Sequence, residues 1–138
     1  MQERLLDVSH GASPGSEAAP PVTVDAPWPH CRIVTPFGEI DAHTAPGLRE
    51  RLLGQLADPA VRHLVVDLSR TSFLDSSALG VLIGALKRMR ERGGRLDVVQ
   101  PPLAVRRIFE VTALDRVLDL RDSLEDALGD ALGDAPGL

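Results

Sequence analysis

Residues 63–80 read HLVVDLSRTSFLDSSALG, an apolar run that passes through a short polar stretch into a helical period. The first six, His63-Leu64-Val65-Val66-Asp67-Leu68, form a nearly continuous apolar run. A strand with one face in water alternates apolar and polar residues. A run without alternation belongs to a strand covered on both faces, as in a sheet packed between helices. After Leu74 come three short polar residues, Asp75-Ser76-Ser77, and then a helical period from about Ser76 to Arg92. Leu79, Leu82, Ile83, Leu86 and Met89 make its core stripe, while Lys87, Arg88, Glu91 and Arg92 are expected to face water. Gly93-Gly94 stops the helix in the usual C-terminal way. A buried strand running into an amphipathic helix is the building unit of a parallel α/β sheet.

The signals on either side agree with this unit. Val22-Thr23-Val24 is a short strand, Ala26-Pro27-Trp28-Pro29 a turn, and Cys31-Arg32-Ile33-Val34-Thr35 a second strand that ends or bulges at Pro36, which lacks an amide donor. Gly38-Glu39-Ile40-Asp41 reads as a turn. Thr44 is a good N-cap with Pro46 near the first helical position, and the helix behind it buries Leu48, Leu52 or Leu53, and Leu56 before Asp58-Pro59 stops it. Downstream, Leu96-Asp97-Val98-Val99 is a strand and Pro101-Pro102 opens a helix carrying Val105, Ile108 and Phe109. A short strand at Val117–Leu120 and a helix from about Ser123 to Leu132 close the domain. The order β-β-α-β-α-β-α-β-α implies a mixed, mainly parallel sheet of four to five strands covered by about four helices, with right-handed crossovers. Residues 1–20 are rich in Gly, Ala, Ser and Pro with no apolar period, and are expected to be a disordered extension. The domain then spans 21–132, and 133–138 are expected to be a flexible tail.

Composition excludes several classes of function. The chain has 138 residues, enough for one domain with a real core. No run of about 18 apolar residues is present to span a membrane, and Met1-Gln2-Glu3-Arg4 leads into no apolar stretch that would make a signal peptide. A net charge of −5 argues against nucleic acid as the main partner. Cys31 is the single cysteine, which suits a reducing cytoplasm and, within a strand, reads as a small buried hydrophobe. Trp28, between two prolines, is expected to cover the sheet edge, and Arg106 and Arg107 to lie on a solvated helix face. The chain carries no dinucleotide or phosphate-loop glycine motif, no nucleophile elbow and no zinc spacing. His10, His30, His43 and His63 are scattered along the sequence. The expectation is a binding protein without catalysis or cofactor.

In open α/β sheets, function gathers where strands end and helices begin. That places it at Asp75-Ser76-Ser77. The plain reading is capping, which satisfies free amides of the first helical turn and contributes about 1 kcal/mol. One residue suffices to cap, so three small polar residues leave a hydroxyl to spare. A helix N-terminus tolerates an anion, so a phosphate placed there would leave the helix intact and add about −1.5 to −2 charges to a surface a partner must cover. Gly80 and Gly84, each costing up to about 1 kcal/mol of helix propensity, have two explanations: close packing on the sheet, or a smooth face for a partner.

Three stretches together resemble the STAS-domain anti-sigma factor antagonists of the SpoIIAA type: Phe37-Gly38-Glu39-Ile40-Asp41 with His43-Thr44-Ala45, Leu64–Leu68, and Ser72–Leu82. Pro102–Leu114 is similar to the family's final amphipathic helix, and the resemblance covers about 22–128. It implies a cycle in which the unphosphorylated antagonist binds an anti-sigma serine kinase of the GHKL type and frees a sigma factor. That kinase phosphorylates the serine after the motif's aspartate, here Ser76, and a PPM-type phosphatase resets it. The implied partner-binding residues are Asp41, Asp75, Ser76, Ser77, Ala78, Leu79 and Gly80, with no membrane and no direct nucleic-acid contact. The family pattern has glycine at the position of Ala78, whose methyl is expected to bear on how closely a kinase approaches. The other use of such a domain is as a binding or scaffold module of a transport or stress-signalling complex without a phosphoswitch.

Overall fold

A computed structural model of the chain describes residues 21–134, with side chains to residue 129. The expected disordered extension, 1–20, lies outside the described residues, as do residues 135–138. The elements run β1 (Val22–Trp28), β2 (Cys31–Pro36), β3 (Gly38–Ile40), α1 (Ala45–Leu56), β4 (His63–Asp67), β5 (Thr71–Leu74) and α2 (Ser76–Glu91). They continue through β6 (Arg95–Val99), α3 (Leu103–Val111), a 3-10 turn (Leu114–Arg116), β7 (Asp119–Arg121) and α4 (Leu124–Asp134). Helix α4 therefore extends two residues into the expected tail.

Five strands form the main sheet in the order β1-β2-β4-β6-β7. Only β1 and β2 are antiparallel; the other neighbours are parallel, with Val34 beside Val66 and Val66 beside Val98. The apolar run is central because both its faces are covered. Leu64 and Val66 enter a core shared with α1, α2 and α3, whereas Val65 joins Cys31, Ile33, Val99 and Ala127 beneath α4. Three helices thus lie on one face and one on the other. Phe109, Leu48, Leu52, Leu82 and Met89 are fully buried in the larger core. Each such side chain contributes roughly 1.5–3 kcal/mol by leaving water.

Several local expectations are corrected. The residues Ala26-Pro27-Trp28 do not turn; they lengthen β1 through an irregularity in register between Asp25 and Trp28, which accommodates the donorless proline on an edge strand. Gly38–Asp41 is not simply a turn, because Gly38–Ile40 is a strand. Its partner β5 went unrecognised: β4 stops at Asp67, whose carboxylate accepts the Ser69 amide at 3.0 Å in a tight turn, and the chain restarts as a separate strand at Thr71. The last short strand begins at Asp119 rather than Val117, since Leu114–Arg116 winds into a 3-10 turn. Of the two leucines left open, Leu52 is buried and Leu53 half-exposed.

Arg92 does not simply face water. Its guanidinium donates to the carbonyls of Leu56 (2.6 Å), Asp58 (3.1 Å) and Val61 (3.0 Å), filling the acceptor sites left open at the end of α1. At the end of α2, Gly94 passes so close to Arg62 that a Cβ would stand 2.5 Å from its carbonyl oxygen. His63 and Asp97 are buried on the α4 side of the sheet, with Nε2 and Oδ2 2.6 Å apart. Arg95 and Arg121 reach the other Asp97 oxygen at 3.3 and 3.2 Å, and Cys31 Sγ lies 3.9 Å from His63 Nδ1. Burial pushes the Cys31 thiol up to about 11, so it stays protonated at neutral pH. Trp28 is half-buried against this smaller core and stacks on His30. Arg107 is exposed, and Arg106 pairs at the surface with Asp122 at 3.4 Å.

Candidate functional site

The site is built by two chain segments meeting at one end of the molecule. Gly38 holds φ +85°, a left-handed conformation open to glycine, and so turns the chain out of β2. Its amide donates to the Arg70 carbonyl at 3.0 Å. Strands β3 and β5 then pair in parallel, Glu39 beside Phe73 and Ile40 beside Leu74, and the Asp75 amide extends the ladder to the Ile40 carbonyl at 3.1 Å. The loop before α1 and the start of α2 are thereby held side by side.

Asp75 is the cap of α2. Its Oδ1 accepts the amides of Ser77 (2.9 Å) and Ala78 (3.2 Å), and its Oδ2 accepts the amide of Ala42 (3.1 Å). One carboxylate therefore terminates the helix and ties it to the facing loop. With Asp75 occupied in this way, Ser76 is released from capping. It is the first residue of α2, exposed, and its hydroxyl takes no partner among the described residues.

Asp41 organises the facing loop. Its Oδ1 accepts the amides of His43 (3.0 Å) and Thr44 (3.1 Å) and the Thr44 hydroxyl (3.2 Å). The Thr44 amide, foremost among these, holds the Asp41 carboxyl below the usual carboxylate range against a smaller opposing effect of burial. Thr44 occupies the N-cap position of α1, but its side chain does not cap the helix; its Oγ1 accepts the Asp41 amide at 3.0 Å instead.

The expected binding residues separate into two groups. Asp41, Asp75, Ser76, Ser77 and Gly80 are exposed or half-buried at the junction of the two segments or along α2. Ala78 and Leu79 are only 1% and 7% exposed and pack in the core, so they seat α2 rather than present a surface. The Ala78 methyl is consequently turned away from anything that approaches Ser76. Close packing does not explain the glycines of α2, because a Cβ at Gly80 or Gly84 would meet nothing within 4 Å. They leave open a groove of about 260 Å³ between α1 and α2, lined by Leu52, Leu53, Ser77, Val81 and Ala85, with Arg49 and Arg88 also at it. Of the two explanations the sequence left for these glycines, the open face holds. That α1 walls it into a groove with Arg49 was not legible, although Ser77, Gly80, Gly84 and Arg88 share the spacing of one helix face. Sequence reasoning also missed the 44% exposure of Phe73 two residues before Asp75, where a strand ending at the surface leaves an aromatic uncovered.

Among the described residues no group of His, Cys, Asp and Glu could hold a metal ion, and no helix is long and apolar enough to cross a membrane.

Comparison with known proteins extends this geometry. The model of the STAS domain matches residues 27–127. The anti-sigma-B factor antagonist of Listeria monocytogenes is 37% identical over 86 residues, 62% of this chain and 74% of that protein. The crystal structure of an anti-sigma factor antagonist from Mycobacterium paratuberculosis superposes with a TM-score of 0.73 at 31% identity, over 86% of this chain and 96% of the other. Unphosphorylated SpoIIAA shares the fold, with a TM-score of 0.66 at 21% identity over 83% of this chain and all of its own.

Proposed function

The chain belongs to the STAS-domain family, and from that premise we propose that it is an anti-sigma factor antagonist switched by phosphorylation of Ser76. In the unphosphorylated state it binds an anti-sigma factor that is a GHKL-type serine kinase, and a sigma factor is released. Phosphate on Ser76 ends that binding, and a PPM-type phosphatase restores it. The cycle runs in the cytoplasm, and Ser76 is a phosphate acceptor with no catalytic part of its own.

The observation that carries this reading is the division of labour between Asp75 and Ser76. Asp75 caps α2 and leaves the Ser76 hydroxyl exposed at the helix start. A phosphoryl group there gains from the positive end of the helix dipole, so modification does not unfold the helix. A partner lying over the site would have to bury the new charge next to the Asp75 carboxylate. That costs repulsion and desolvation, so affinity falls while the fold persists. Incubation with the cognate kinase and ATP, followed by mass-spectrometric mapping, tests the assignment. Phosphate is expected on Ser76; phosphate on Ser77 alone would overturn it.

A further inference from the structure

We propose that the groove between α1 and α2 receives an acidic amphipathic helix of the anti-sigma partner. The proposal rests on the reading of the chain as an anti-sigma factor antagonist and identifies the chemistry of the contact. Four observations carry it.

The groove is elongated: Ser77 and Arg88, which both line it, are eleven residues apart on one helix, about 16 Å at the helical rise. A partner helix of three turns has that length, and a helix laid between two others is a recurring mode of recognition. Its middle is apolar and smooth, because Leu53 and Val81 are half-buried and the Gly80 and Gly84 positions are open. Glycine inside a helix lowers its propensity, and no packing among the described residues accounts for two of them. Arg49 and Arg88 are exposed, and neither has an ion-pair partner among the described residues. On a chain of net charge −5, two unpaired guanidiniums on adjoining helices are a local basic site, complementary to carboxylates flanking an apolar stripe. Finally, Ser77 joins the groove to the switch, since it follows Ser76 and its amide is held by Asp75. An occupant of the groove therefore ends beside the phosphorylation site.

The test is calorimetric titration of the purified protein with its cognate anti-sigma kinase. Arg49→Glu combined with Arg88→Glu is expected to weaken binding at least tenfold at low salt, with the gap narrowing as salt rises. Gly84→Leu fills the groove, and is expected to melt no lower than the parent while losing at least tenfold in affinity. The charge-reversed protein keeps the test decisive should the leucine variant fold poorly. If the parent binds and either folded variant binds equally well, the groove proposal is overturned and the antagonist reading stands. If the parent binds no anti-sigma kinase, the antagonist reading falls, and this proposal with it. Loss of a dimer in sedimentation with kinase affinity unchanged would reassign the groove to a second copy of the chain, and equally overturn the proposal.

Discussion

Asp75 Oδ2 accepts the backbone amide of Ala42 at 3.1 Å, across 33 residues of sequence, while its other oxygen caps α2. This places the two halves of the candidate site in one hydrogen-bonded unit. Removing the carboxylate uncaps a helix and at the same time loosens a loop.

Asp75→Ala is expected to destabilise the domain by roughly 2–3 kcal/mol, combining a lost cap with a lost hydrogen bond to a charged group. Asp75→Asn should cost clearly less, since asparagine caps nearly as well. Urea unfolding with unchanged slope measures both. Equal losses for the two variants would mean that the side chain acts by charge alone.

Ser76→Asp is expected to weaken binding to the anti-sigma kinase by about 2–4 kcal/mol, by placing a charge in a covered site. Ser76→Ala should bind like the parent and never be switched off. Calorimetry with and without ATP distinguishes these behaviours, and an aspartate variant with parental affinity would refute the electrostatic account.

Ala78→Gly concerns the position where the family pattern has glycine. Because its methyl lies in the core, the change should cost about 1 kcal/mol of stability through helix propensity and leave the rate of Ser76 phosphorylation unaltered. A faster reaction in the glycine variant would show that the methyl does obstruct the kinase.

The buried Asp97 predicts an acid limb of stability. Burial alone would raise its carboxyl, but the hydrogen bond from His63, the charges of Arg95 and His63, and the hydrogen bond from Arg121 outweigh this and hold it low. A carboxyl lower in the folded than in the unfolded chain contributes fully above the ordinary value near 4. That contribution is lost as pH falls through the folded value. Asp41 adds a second dependence in the same window. Urea midpoints measured from pH 7 to pH 3 should therefore decline, and decline less steeply in Asp97→Asn. Asp97→Ala should lose about 1–3 kcal/mol at neutral pH, because it leaves the buried His63 ring without its carboxylate partner.

The main sheet was legible because burial on both faces writes itself as an unbroken apolar run, clearest at Leu64-Val65-Val66. Helix α2 was legible from its period and its Gly93-Gly94 stop. The pair β3 and β5 was not. Each has four residues or fewer, too short for periodicity to register, and what defines them is each other across the fold. Asp97 was hidden for the same reason: a carboxylate inside a strand looks exposed until the chain places His63, Arg95 and Arg121 around it. At the site, local sequence left a capped helix with a spare hydroxyl, and only the coordinates assign the cap to Asp75. The groove needed two helices side by side, a relationship that no single stretch records.

The parallel pairing of β3 with β5 has a consequence for biosynthesis. Parallel strands cannot be joined by a tight hairpin; here the connection runs through all of α1 and β4. Gly38, Ile40 and Ala42 therefore acquire their cross-strand partners, Arg70 and Asp75, only after residues 70–75 have been made and the crossover has packed. A fragment that stops short of α2 lacks the junction of the two segments altogether. The face proposed to meet a partner therefore forms only once the crossover through α1 and β4 is in place.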